Sequence, residues 1–322
     1  MPSAPAALGR PQFLPRFAGA GRRVAIPPPA RASAGAGAAS ASDNKRATRD
    51  LADSLNYLPS HADALGASIA RVRAVAFFAW TLLLSLPLFL VMLAVFPVVW
   101  VSDRRRRTLE HAVNHLWACL TTLPFFRIKV VGRENLPAGS SPAMYVANHQ
   151  SFIDIYSLFH LWRFFKFVSK TSNFLIPVVG WSMYLTGHVG LRRTDKRSQI
   201  KVLQECRDLI TEDKCSLLFF PEGTRSRTGR MAEFKKGAFS IAAKTGAPVV
   251  PITVDGAGPL MPSGREWGMW GWPWGRGVTL TVHPPISPNL GAPGEDARLC
   301  AEAQRLIASA LPERLRPLND AE

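Results

Sequence analysis

The stretch NHQSFID, residues 148–154, sets His149 and Asp154 with four residues between them, directly after the apolar run Met144-Tyr145-Val146-Ala147. A histidine held by a carboxylate through one ring nitrogen keeps its other nitrogen free as a general base. On a regular helix this offset would turn the two side chains about 140° apart, at 3.6 residues per turn. They meet only if His149 lies before a helix and Asp154 in its first turn. A plainer reading is also open: Ser151 with Asp154 three positions on is a helix-capping pattern that requires no chemistry.

A second stretch, FPEGTRS at 220–226, has the makings of an anion loop. Pro221 stops strand pairing. Gly223 permits close backbone approach to a ligand, Thr224 offers a hydroxyl, and Arg225 offers a planar fork suited to phosphate. A plain turn stabilised by Glu222 fits the same residues.

Both stretches sit where a strand gives way to a loop. Strands are predicted at 126–132, 142–147, 165–170, 188–193, 216–223, 247–254 and 278–284. Helices are predicted at 107–123, 151–162, 172–185, 195–214, 233–246 and 295–311. Over 195–214 the apolar residues at 200, 203, 206, 209 and 210 follow the helical period. Alternating strands and helices predict an α/β domain with a mixed, largely parallel sheet flanked by helices. There is no GxxxxGK[ST] or GxGxxG phosphate loop.

The chain has 322 residues, a formal charge of +16 and 47% hydrophobic residues. That suits one sizeable domain with appendages and an anionic partner. Cys119, Cys206, Cys215 and Cys300 form no CxxC pair, and the seven histidines are not clustered, so no metal site and no disulfide framework is expected. No nucleic-acid motif is present. Residues 1–42 hold five arginines and no acid among Ala, Ser, Pro and Gly. That is the composition of an organelle transit peptide, and its prolines favour plastid over mitochondrion. Residues 43–73 read as a linker or amphipathic helix.

From Ala74 to Ser102 no residue is charged. As one helix this segment would reach about 43 Å, past a hydrocarbon core of roughly 30 Å. Pro87 lies mid-segment, and arginines flank both ends. Two short helices dipping into one leaflet fit these features, and so does a kinked span. Later, Trp267, Trp270, Trp272 and Trp274 fall between Arg265 and Arg276. They suit either a headgroup boundary or a loop folded on the core.

Taken together, NHxxxxD and FPEGTRS resemble motifs of the glycerolipid acyltransferases, specifically the 1-acylglycerol-3-phosphate acyltransferases. GHVGLRR (187–193) is similar to the family's second block, with Arg193 at the motif position. It has Gly190-Leu191-Arg192 where Phe-Ile-Asp is more usual. VVPITV (249–254) is similar to the fourth block, and FKKG (234–237) follows the third as it does in relatives.

The resemblance implies transfer of a fatty acyl chain from acyl-ACP or acyl-CoA to the sn-2 hydroxyl of lysophosphatidate, with no cofactor. It implies His149 and Asp154 as the catalytic pair. Arg225, Gly223, Thr224, Arg193 and Lys170 would bind the acceptor phosphate, with Glu222 and Asn148 in support. It also implies an N-terminal membrane-associated helical hairpin ahead of an acyltransferase domain at 103–322, and a plastid membrane, the envelope, as location. Acylation of glycerol 3-phosphate or another lysophospholipid is an alternative, as is a non-catalytic lipid-binding protein.

Overall fold

The computed structural model describes residues 64–138, 141–192, 196–271 and 277–317. The expected transit segment, most of the linker, and Arg193, Trp272 and Trp274 lie outside the described residues. Seven strands form one sheet: β1 (Ile128–Val131), β2 (Met144–Ala147), β3 (Phe165–Lys170), β4 (Val189–Leu191), β5 (Ser216–Phe219), β6 (Val249–Asp255) and β7 (Val278–Val282). Their order is β1-β7-β6-β2-β5-β3-β4. The β6–β7 pair is antiparallel and the other neighbouring pairs are parallel, so the sheet is mixed and largely parallel, as expected.

A parallel sheet needs cover on both faces, and the pleat sends alternate side chains each way. On β2, Tyr145 and Ala147 join one core, while Met144 and Val146 join the other. The first core is covered by α1 (Ala64–Ser102), α2 (Thr108–Thr122) and α3 (Asp154–Phe159), through residues such as Phe77, Ala118 and Tyr156. Beyond them in the chain come α4 (Val179–Thr186), α5 (Lys196–Thr211), α6 (Gly237–Thr245), the single turn α7 (Ala257–Leu260) and α8 (Glu295–Ser309). The second core is covered by α5, α6 and α8, through Val202, Phe239 and Leu299. Each fully buried side chain of this size stabilises the fold by about 1.5–3 kcal/mol.

Two expectations are corrected. Residues 74–102 do not break into two short helices: α1 runs unbroken from Ala64 to Ser102, with Pro87 and Pro97 inside it. A proline removes one rung of the ladder, which an apolar helix tolerates when its other bonds hold. The chain turns back later, at 103–107, so the N-terminal helical pair is α1 with α2. At 1.5 Å per residue α1 is about 58 Å long. It is long and apolar enough to cross a membrane, and only 17% of its most apolar window is buried. Its beginning is fixed to the domain by Ala70, Ala74 and Phe77, all buried. The Arg73 guanidinium donates to the carbonyls of Met269 and Gly271.

The second correction concerns 172–185, which is not one helix. A 3-10 turn over Thr171–Leu175 and α4 are separated at Pro177 and Val178, the latter at φ 62. Proline biases its neighbour away from helical geometry, and a β-branched residue at positive φ cannot continue one.

Candidate active site

The sheet presents the carboxyl ends of β2, β3 and β5 to one edge, and the motif residues gather there. After Ala147 the chain leaves β2 through Asn148, His149, Gln150 and Ser151 before α3 begins at Asp154. Asn148 is fully buried. Its amide donates to the Val254 carbonyl at 2.9 Å and accepts the Val254 N–H at 2.8 Å, which splices the end of β2 to β6. Asn148 thus sets where His149 leaves the sheet.

His149 Nδ1 lies 2.8 Å from Asp154 Oδ2. The same oxygen accepts the N–H of Gln150 at 2.7 Å and of Ser151 at 2.8 Å. This carboxylate reaches backward over the preceding loop and ties the histidine ring and two backbone donors to one atom. The Asp154 side chain is fully buried and that of His149 is 13% exposed. Both readings left open by the sequence therefore coexist in one residue: orienter and brace. The His149 ring stacks on Phe220, with centroids 3.9 Å apart and 14° between planes. Its Nε2 bonds to no described residue.

The second motif meets the first through the backbone. Glu222 Oε1 accepts the His149 N–H at 2.7 Å, and Oε2 accepts the Ala232 N–H at 2.9 Å. The Ser226 N–H donates to the His149 carbonyl at 2.9 Å. Burial pushes the Glu222 carboxyl up to about 8, the two N–H donors pull it back, and the nearby Asp154 charge adds to the rise. Glu222 thus holds the histidine loop as much as its own.

Gly223 lies at φ +77, where a side chain would be strained, and a Cβ there would meet Lys235 Nζ at 2.7 Å. Lys235 is a cation beside the loop whose role the sequence did not single out; its signal was the FKKG that follows the motif. Arg225 bonds Glu266 Oε1 at 2.8 Å, with both side chains about one-third exposed (36% and 28%). Glu266 lies 41 residues from Arg225 and was likewise missed. Thr224 is exposed on the same loop, and Lys170 ends β3 with its side chain exposed. Arg193 lies outside the described residues; its neighbour Arg192 is exposed.

A cavity of about 320 Å³ opens at this edge. His149, Phe220, Lys170 and Arg225 line it, and it continues between α1, α2 and α4 past Trp117, Phe89 and Met92. One end carries a base and two cations, and the other is apolar. Such a cavity suits an amphiphile with an anionic head and a hydrocarbon tail. Among the described residues no group of His, Cys, Asp and Glu is arranged to hold a metal ion.

The tryptophan segment divides. Met269 is fully buried and its N–H bonds the Ala70 carbonyl, so part of the loop is folded on α1. Trp267 is 74% exposed.

Residues 127–255 match the acyltransferase family model. A 1-acyl-sn-glycerol-3-phosphate acyltransferase of Chlamydomonas reinhardtii is 56% identical over 247 residues, 77% of this chain and 72% of the relative. A chloroplastic 1-acyl-sn-glycerol-3-phosphate acyltransferase of Brassica napus is 43% identical over 243 residues, 75% of this chain and 67% of the relative. The crystal structure of the 1-acyl-sn-glycerophosphate acyltransferase PlsC from Thermotoga maritima superposes with a TM-score of 0.51 at 26% identity. It covers 71% of this chain and 97% of that one.

Proposed function

We propose how this chain, which belongs to the 1-acyl-sn-glycerol-3-phosphate acyltransferase family, carries out its transfer: His149 is the general base and Asp154 its orienting partner. The single observation that carries this is the 2.8 Å contact from His149 Nδ1 to Asp154, which leaves Nε2 unbonded at the mouth of the apolar cavity.

The acceptor is 1-acyl-sn-glycerol 3-phosphate. Its sn-2 oxygen attacks the thioester carbonyl carbon while His149 Nε2 takes the hydroxyl proton. The tetrahedral adduct collapses, the C–S bond breaks, and the leaving thiolate recovers that proton. The products are phosphatidate and the free thiol carrier. Asp154 steadies the imidazolium formed on the way. Arg225, Arg193, Lys170, Thr224 and the Gly223 loop hold the phosphate, and so set the hydroxyl against the base. Arg225 exchanges Glu266 for phosphate as acceptor binds. Glu222 and Asn148 keep the two loops in register, and the apolar cavity takes the acyl chain.

Residues 1–42 act as a plastid transit peptide and 43–73 as a linker. Residues 74–102 anchor the protein at a membrane, the plastid envelope, and 103–322 form the catalytic domain. The acid-free N-terminus and the chloroplastic relative support this address. Inside a plastid the expected donor is acyl-ACP, an acidic protein that the +16 chain would attract, over acyl-CoA.

The deciding assay gives purified full-length protein lysophosphatidate with labelled acyl-ACP or acyl-CoA, and identifies products by acyl position. Phosphatidate labelled at sn-2, with a higher kcat/KM for acyl-ACP, is expected. Equal turnover of glycerol 3-phosphate, or unchanged activity in His149→Ala, would sink the assignment.

A further inference from the structure

A second cavity, of about 170 Å³, lies at the opposite edge of the sheet, under the amino ends of β2, β3 and β5. Four cations line it: Arg106 from the turn after α1, Arg163 and Lys166 from the start of β3, and Lys214 before β5. No carboxylate lines it, and none of the four forms an ion pair among the described residues. Two acids whose charges act on Lys166 are engaged elsewhere: Asp213 with Arg105 at 3.2 Å, and Asp103 with the Thr108 N–H at 2.7 Å.

Like charges gathered without a counter-ion are costly, more so where water is scarce. Lys166 is only 4% exposed, and among the described residues its ammonium makes one hydrogen bond, to the Arg105 carbonyl at 2.6 Å. Burial pulls its pKa below the usual lysine value. Two further donors are buried without a partner among the described residues. Arg163 Nε is one, and His111 Nδ1, on an imidazole 1% exposed, is the other. His111 lines the same cavity. Buried polar atoms of a folded protein are nearly always paired, so two orphans at one cavity call for a missing partner. The backbone adds to the pattern: Trp162 at φ 54 and Lys214 at φ 53 line the cavity in left-handed geometry that non-glycine residues rarely adopt.

We propose that this cavity is an anion site that takes a phosphate group, held by Arg106, Arg163, Lys166 and Lys214 with His111 Nδ1–H as a further donor. A phosphate oxyanion supplies several acceptors in a compact volume and neutralises the cluster. Arg106 lies four residues past the end of α1, so the group is either free phosphate or the headgroup of an anionic lipid beside that helix. The site is separate from the His149 edge. The two cavities share a wall, in which the His111 ring lies 5.8 Å, centroid to centroid, from that of His188, a residue lining the larger cavity.

The test uses the full chain in two arms. In the first, inorganic phosphate is titrated calorimetrically into Lys170→Ala/Arg225→Ala protein, which lacks the proposed acceptor-phosphate contacts. In the second, the chain is floated with phosphatidylcholine vesicles with or without phosphatidylglycerol. Arg106→Ala/Lys214→Ala is compared with Arg104→Ala, an arginine of the same turn outside the cavity. Removing two charge-assisted contacts should weaken binding about tenfold or more, while Arg104→Ala leaves it unchanged. Loss in the phosphate arm alone assigns the site to free phosphate, and loss with phosphatidylglycerol vesicles assigns it to a headgroup. Arg106→Glu/Lys214→Glu should abolish binding in whichever arm responds. If neither arm responds to Arg106→Ala/Lys214→Ala, or if Arg104→Ala has an equal effect, the site is overturned. A failed acyl transfer by His149→Ala has no bearing on this outcome.

Discussion

The two edges of the sheet treat their polar side chains in opposite ways. At the carboxyl edge most are tied down, with Asp154 Oδ1 and Gln150 Oε1 the buried oxygens left unpaired among the described residues. Asp154 Oδ2 takes three donors, the two Glu222 oxygens take one backbone N–H each, Asn148 bonds Val254 in both directions, and Arg225 has Glu266. At the amino edge Arg163 Nε and His111 Nδ1 have no partner among the described residues, and four cations face one another across a void. A site that must hold a base in one orientation has its strain removed in advance by hydrogen bonds within the protein. A site that must bind an anion keeps its donors unspent. The same strands, β2, β3 and β5, serve both ends, so the difference comes from the loops and not from the sheet.

The sharpest way to break this comparison is at the best-satisfied residue pair. His149→Ala should lower kcat by about 10²–10⁴-fold, the range for a positioned base. Its side chain makes one hydrogen bond among the described residues, so thermal stability should hardly move. Asp154→Asn keeps an oxygen for the Gln150 and Ser151 N–H groups but removes the charge that steadies an imidazolium, so kcat should fall about 10²-fold or more with the fold intact. Asp154→Ala should lose activity and, in addition, about 0.5–2 kcal/mol of stability for the freed backbone donors. Circular-dichroism melts beside steady-state rates separate the two contributions. Full activity in Asp154→Asn would reduce that residue to a loop brace.

The next effect concerns the one pair at the carboxyl edge that must open. Arg225→Ala should raise KM for lysophosphatidate about tenfold or more, with a smaller change for the acyl donor. Glu266→Gln should act in the other direction: Arg225 no longer leaves an ion pair to meet phosphate, so KM for the acceptor should stay level or fall. A rise in both variants would place Glu266 in the acceptor contacts themselves.

What could be read from the sequence was local. β3 was predicted at the residues it occupies, and α8 ended two residues before expectation, because periodicity and flanking breakers are properties of short windows. The approach of His149 to Asp154 was readable too, since it needs only a strand end followed by a helix start. What stayed hidden depends on pairs far apart in the chain. Glu222 reaches His149 across 73 positions and Arg225 reaches Glu266 across 41. Arg163 and Lys214 converge because parallel β3 and β5 begin at one edge, and Arg106 joins them from the turn between α1 and α2, facts of topology that no window of residues contains. Of the two paths open for 74–102, two short helices or one span through Pro87, the structure has the second, because the surrounding apolar ladder outweighs the one rung that proline removes.

The mildest expected effect is a pH dependence seated in Glu222. Its carboxyl is raised to about 8 in the folded protein, from an ordinary value of 4.5, mainly by burial. A group raised on folding binds its proton more tightly in the native state, so the stability it contributes is complete below pH 4.5 and drains away as pH climbs through about 8. Wild-type protein should therefore lose stability relative to Glu222→Gln across this window, by at most a few kcal/mol and by less if the two N–H bonds hold the charged form. Gln carries no titrating proton, so its own curve should be flatter. It can also accept only one of the two N–H groups, so its stability should be lower than that of wild type at the acid end. Melting temperatures of both proteins at closely spaced pH values give the difference directly. Parallel curves would mean that Glu222 is charged throughout and held by the His149 and Ala232 donors, which would make the carboxyl edge still more completely satisfied than its burial implies.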